Sequence, residues 1–177
     1  KHIMGGSGLV HTALHDWLKD ALVLCGKNNL TGSGEIDANL QIESDFLDGE
    51  LIYRGGGNAL IIFCSLQKAK KFTTILTEKL LKDAPGLDIV ISHLDLPSSV
   101  LAVGGIGIGG YIQELFRKVN QKKMDRKRSL PLPGLGVTAA CGYTQKPATK
   151  KLDDELVSGE IYQKVKAGFE YSKNGFD

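Results

Sequence analysis

Leu51-Ile52-Tyr53-Arg54-Gly55-Gly56-Gly57-Asn58-Ala59-Leu60-Ile61-Ile62-Phe63 decides how this chain is read. Two short runs rich in Ile, Tyr and Phe flank three glycines and an asparagine. That is the pattern of a tight antiparallel β-hairpin. Three consecutive glycines exceed what a turn requires. Glycine serves positions of positive φ, or positions where something must approach the backbone closely. Two readings fit: a hairpin generous in glycine, and a turn on which a nucleotide or phosphate lies.

Upstream of the hairpin, Gly5-Gly6-Ser7-Gly8 precedes a helical pattern in which Val10, Leu14, Trp17, Leu18, Ala21, Leu22 and Cys25 share a face. The spacing predicts a helix over 9–25, with Ser7 as N-cap and Gly26 as the stop. A loop is expected over 27–37 and a short strand over 38–44. Downstream, Ala69, Phe72, Ile75, Leu76, Leu80 and Leu81 set a helix over 66–84, which Pro85 and Gly86 end. The apolar run Leu87–Leu94 reads as a third strand buried on both faces. A further helix carries Ile112, Leu115, Phe116 and Val119, and Pro131 and Pro133 break its basic continuation. Gly136–Tyr143 reads as a strand, 146–151 as a basic loop and 158–172 as a last helix. The order αββαβ is a ferredoxin-like βαββαβ unit without its first strand. The chain opens on Lys1, so residues are expected to precede it. The missing strand is expected just before Lys1, beside the central hairpin.

The 177 residues suffice for one domain. A net charge of +2 is too small to imply nucleic-acid binding by itself. Cys25, Cys64 and Cys141 stand far apart, which argues against a disulfide framework or a zinc site and for a reducing, cytoplasmic setting. No apolar run is long enough to span a bilayer, so no membrane partner is expected. His11 and His15 share a helix face, but no third zinc ligand is evident, and they read as surface histidines. The glycines of 104–110 only approximate a dinucleotide fingerprint. Cys141 reads as a packed rather than a reactive thiol.

Several stretches, in order, resemble one family: the palm domain of the type III CRISPR effector large subunit, related to GGDEF-type nucleotide cyclases. Tyr53–Leu60 stands where that family has a Gly-Gly-Asp-Asp turn. Lys1–Leu9 is similar to the Arg-Gly-Ala-Ser-like stretch that opens the family's first helix beside the nucleotide. Gly136–Ala148 looks like its Cys-x-x-Thr-Gly-x-Pro-Ala segment, and Leu156–Lys164 resembles the Ser-containing segment that follows. The resemblance implies an α/β (α+β) fold: a ferredoxin-like palm domain with an antiparallel central hairpin and a helical C-terminal extension. The nucleotide-binding domain would span 1–130 and the strand-and-helix extension 131–177.

In active members, the turn's first aspartate and an acid on the first strand hold divalent metals. Two-metal chemistry needs hard anionic oxygens. Here Gly57 has no side chain, and Asn58 offers a neutral amide. The nearest other carboxylates are Asp45, Asp48, Glu50, Asp88 and Asp95. The implied site binds an ATP-like nucleotide through Gly5, Gly6, Ser7, Gly55, Gly56, Gly57 and Asn58, with no catalytic residue and no metal ligand. The family's triphosphate-contacting lysine matches Lys122 or Lys123. These belong to a run of seven Lys or Arg in the twelve residues Arg117–Arg128. That run reads as a solvated face or as an RNA contact; no aromatic residue interleaves with it, so single-strand stacking is not expected there. The first expectation is a degenerate palm domain that binds nucleotide, as scaffold or sensor among the subunits of a nucleic-acid-directed antiviral defence system. Two alternatives stand: an active nucleotidyltransferase making cyclic or linear oligonucleotides with Mg2+, and a protein-interaction module without ligand.

Overall fold

The chain is an α+β protein, described from a computed structural model over residues 2–102, 107–125 and 139–173. Its first helix begins earlier than the sequence suggests. Helix α1 (His2–Thr12) runs through a π-helical turn (Ala13–Trp17) into α2 (Leu18–Cys25). Gly5, Gly6 and Ser7 therefore lie inside α1, and Ser7 is not its N-cap. Each glycine costs a helix about 1 kcal/mol. Packing of α1 along α6 (Gly159–Lys173) overrides that cost. The C-terminal stop is where it was expected: Gly26, at φ 139°, donates its N–H to the Leu22 and Val23 carbonyls.

Contacts divide the chain into two units. One, the hairpin unit, comprises Leu14–Thr77 and Asp88–Lys127. Strands β1 (Gly49–Gly55) and β2 (Asn58–Phe63) pair antiparallel, from Gly49 opposite Phe63 to Gly55 opposite Asn58. Helix α3 (Leu66–Asp83) follows and buries Ala69, Phe72 and Leu76, while α2 buries Leu18, Ala21, Leu22 and Cys25. The Phe63 and Phe72 rings meet at 5.3 Å. The α3 lysines cap α2: Lys68 and Lys71 donate to the Cys25 and Leu24 carbonyls at 2.8 and 2.6 Å. Cations at the end of a helix also oppose its dipole. A Cβ on Gly26 would collide with the Asp48 carboxylate.

Two expected strands are absent. Residues 38–44 form turns, and 87–97 have no regular structure. Between Leu87 and Leu94 every side chain is half-buried or exposed, so this run is not covered on both faces. Side chains fix it instead: Lys122 donates to the Ile91 carbonyl at 2.9 Å, and His93 bonds Thr73 at 3.0 Å. The order among the described residues is thus αββα, followed by a short α4 (Ser98–Ala102) and α5 (Ile108–Met124).

The second, terminal unit comprises Lys1–Ala13, Glu78–Leu87 and Arg128–Asp177. Lys150 and Lys151, read as loop, belong to a small hairpin of β3 (Lys150–Leu152) and β4 (Glu155–Val157). Residues 139–148 close a loop through an Ala140–Pro147 bridge rather than forming a strand; 136–138 lie outside the described residues. Its core is Cys141, Val157, Ile161 and Val165, with Ala148, Leu152 and Tyr162 against it. Glu160 sits against Gly86 and pairs with Lys146 and Lys164, each at 2.7 Å. Burial pushes the Glu160 carboxyl up, but the two ammonium groups bring it below its ordinary range. Among the described residues no helix is long and apolar enough to cross a membrane.

Candidate functional site: the glycine turn

The loop of the central hairpin is two residues, Gly56 and Gly57, with φ of 55° and 79°. Positive φ at both positions is what a type I′ hairpin needs to match the twist of its strands. Nothing stands within 4 Å of a Cβ built on Gly57, so its requirement is purely one of backbone angle. Gly55 has a different role. A Cβ there would meet the Tyr53 hydroxyl at 2.9 Å, so the glycine leaves room for the phenol. Two of the three glycines thus serve the turn and the third serves a neighbouring ring.

Gly56, Gly57 and Asn58 are exposed. In a two-residue hairpin the flanking pair, here Gly55 and Asn58, exchanges the closing hydrogen bonds. The N–H groups of Gly56 and Gly57 are left outside the ladder. The Asn58 amide folds back, donating to the Gly56 carbonyl at 3.0 Å. The turn therefore presents two amide N–H groups and no negative charge.

A bulge between Leu51 and Tyr53 sets what lies beside the turn. An extra residue shifts the in–out phase of a strand by one. Leu51 is fully buried, yet Tyr53 is 50% exposed, and the Arg54 side chain is 8% exposed in its place. Arg54 reaches Glu35 at 3.4 Å, and Glu35 is itself largely exposed. Arg54 and Tyr53 join the candidate site; strict alternation would have put Tyr53 in the core with Leu51. The base of β1 is held by the buried Asn29. Its amide donates to the Leu51 carbonyl at 3.0 Å and accepts the Leu51 N–H at 2.8 Å. One side chain acts as a neighbouring strand.

The nearby carboxylates have structural tasks. Asp45 accepts from the Gln41 N–H and the Ser44 hydroxyl, which hold its carboxyl below the usual range. Asp48 pairs with Lys68 at 2.9 Å and accepts the Lys27 N–H, with the same effect. Glu50 accepts the Ile42 N–H at 2.7 Å. Asp95 is exposed, and Asp88 is engaged elsewhere. Among the described residues no three His, Cys, Asp or Glu side chains gather in a way that would hold a metal.

The residues named from sequence fall in two sets. Gly55, Gly56, Gly57, Asn58, Lys122 and Lys123 belong to the hairpin unit, and Gly5, Gly6 and Ser7 to the terminal unit. Gly5–Ser7 are a helix interior, where N–H groups bond to carbonyls four residues back. The free-amide reading of that stretch is corrected accordingly. Lys122 is tied to Ile91, and Lys123 is exposed. Arg126–Arg128 and Gly104–Gly105 lie outside the described residues.

Cys141 is packed in the apolar core of the terminal unit, as expected, but polar hydrogens also converge on its sulfur. Burial pushes the thiol up; hydrogen bonds from the N–H groups of Ser158, Tyr143 and Thr144 and from the Thr144 hydroxyl outweigh it, bringing the pKa to about 6. With no exposed surface, the sulfur organises its loop and is closed to a substrate. In the loop's backbone, the Cys141 N–H donates to the Lys146 carbonyl and the Gln145 N–H to the Cys141 carbonyl, both at 2.9 Å. Gln145 has φ 58°. The chain matches no protein-family model and no curated protein.

Proposed function

We propose that the chain is a degenerate palm-type domain, akin to that of type III CRISPR effector large subunits, which binds a nucleotide at its glycine turn without transforming it. One observation carries this reading: the exposed Gly56–Gly57 turn offers amide N–H groups where the resembled family offers carboxylates. Anions favour such groups, and metal ions do not. Two further features support it. The Asn58 side chain, whose N–H donates to the Gly56 carbonyl, brings a neutral oxygen where two-metal chemistry needs an anionic one. Gln145 stands where the resembled Cys-x-x-Thr-Gly-x-Pro-Ala motif has glycine, and it holds the left-handed φ that glycine serves best.

In this reading the fold is a ferredoxin-like palm, which would seat a further strand along the outer edge of β2. Among the described residues no strand occupies that edge. The domain serves as scaffold or sensor beside other subunits of a cytoplasmic, nucleic-acid-directed defence complex. The test is calorimetric titration with ATP, with magnesium and with chelator, followed by incubation with labelled ATP. Binding that survives chelation, with no oligonucleotide product, is the expected result. Product formation would replace this reading by a nucleotidyltransferase, and absence of binding at millimolar ATP would leave a scaffold alone.

A further inference from the structure

Arg54 is covered by the fold but poorly satisfied by it. A guanidinium carries a fixed positive charge and a rigid fork of N–H donors, and it accepts nothing. The Arg54 side chain is 8% exposed, so water reaches little of it. Among the described residues its hydrogen bonding is one contact, from Nη2 to the Glu35 Oε1 at 3.4 Å. Charged N–H to carboxylate bonds ordinarily close to about 2.7–2.9 Å, and a paired fork uses two nitrogens. Here the contact is long and uses one. Buried polar groups in native proteins are paired as a rule, and a covered charge with unmet donors is strongly unfavourable.

Glu35 is an occupant that can leave. Its backbone is fixed: its N–H donates to the Thr31 hydroxyl at 3.1 Å, and its carbonyl accepts the Thr31 N–H at 2.8 Å. Its side chain is 75% exposed. The carboxylate can therefore rotate into water while the loop that carries it stays in place. What it leaves behind is a guanidinium turned inward by the bulge in β1, one residue before Gly55. Carboxylate and phosphate are the two oxyanions that match such a fork. A singly charged carboxylate already stands there, held through one oxygen. A phosphate brings more charge and a further oxygen for the second nitrogen.

We propose that Arg54 is an oxyanion-binding residue at which a phosphate group displaces Glu35. It goes beyond nucleotide binding at the turn amides and does not depend on it, since the phosphate is either a free ion or part of a nucleotide. The experiment is NMR of the full chain at constant ionic strength without divalent metal, titrated separately with inorganic phosphate, ATP and acetate. It follows the Arg54 side-chain Nε–H, assigned by its loss in Arg54→Lys, and the backbone amide of residue 54, which reads every variant. Phosphate shifts both resonances saturably; ATP doing so at lower concentration makes the source a nucleotide, and equal potency makes it the free ion. Glu35→Gln removes the competing charge and tightens phosphate binding about threefold. Arg54→Lys keeps the charge, loses the fork and weakens binding about tenfold. Arg117→Lys, an exposed control on α5, leaves it unchanged. Circular dichroism checks that each variant folds. Absence of a saturable shift at Arg54 with phosphate and with ATP would overturn the proposal, as would binding to Glu35→Gln no tighter than to wild type. So would acetate as potent as phosphate, which would mark a carboxylate as the occupant. ATP that shifts the Gly56 and Gly57 amides and leaves Arg54 unmoved would overturn it while nucleotide binding at the turn stands. Phosphate that shifts Arg54, with the turn amides unmoved by ATP, would support it and remove the nucleotide reading.

Discussion

Two of the turns with left-handed residues, at 55–58 and at 141–146, solve the same backbone problem in opposite ways. At 55–58 the positive φ values fall on glycines, and the turn is exposed. At 141–146 a positive φ falls on Gln145, and the loop is gathered around a buried sulfur. The first is determined by its own backbone and leaves its outer amides unused. The second is determined by tertiary hydrogen bonds strong enough to hold a side chain in a strained region. A turn with unused amides has capacity for a ligand. A loop whose amides converge on a thiol has none to spare.

Removing the sulfur is the hardest blow to this contrast. Cys141→Ala takes the shared acceptor from the N–H groups of Tyr143, Thr144 and the buried Ser158 and should cost about 2 kcal/mol in urea unfolding. Cys64→Ala, at an exposed thiol, should cost little. The same sulfur gives a pH signature. Its folded pKa of about 6 lies below the ordinary 9.0, so between these values the unfolded chain binds more protons. Its contribution is complete above about 9 and is lost as pH falls through 6. Stability should therefore rise from pH 6 to 9 in wild type, and this rise should be missing in Cys141→Ala.

Exchanging the turns' backbone chemistry gives smaller effects of opposite sign. Gly57→Ala places a side chain at φ 79° and should cost about 1 kcal/mol, although its Cβ meets nothing. Gln145→Gly should stabilise by about 0.5 kcal/mol, the relief of a left-handed side chain less the entropy glycine adds to the unfolded chain. Equal costs at both positions would show that the two turns are held alike.

The hairpin, α3, α5 and α6 were legible because each shows its period directly: β-rich runs about a glycine turn, or apolar residues at helical spacing. Leu87–Leu94 was misread because an apolar run reports burial, whereas a strand needs a partner, and none of the described strands pairs with it. Gly5–Gly8 looked like punctuation, but packing along α6 carries the helix through it. The β3–β4 hairpin lacks alternation; its signal was Asp153-Asp154, and Asp153 takes φ 51°. At the candidate site, the glycines and Asn58 were legible. Arg54 and Tyr53 were not, because the bulge that exchanges their faces leaves no mark in the residue pattern.

The binding claim rests on the two turn amides, and they are observable one by one. ATP would be titrated into the isotopically labelled protein with all magnesium chelated, following backbone amide resonances by NMR. The expected result is a saturable shift of the Gly56 and Gly57 amides, with those of Tyr143 and Thr144 unmoved. Saturation that leaves Gly56 and Gly57 unshifted, or shifts that appear only with magnesium, would contradict it.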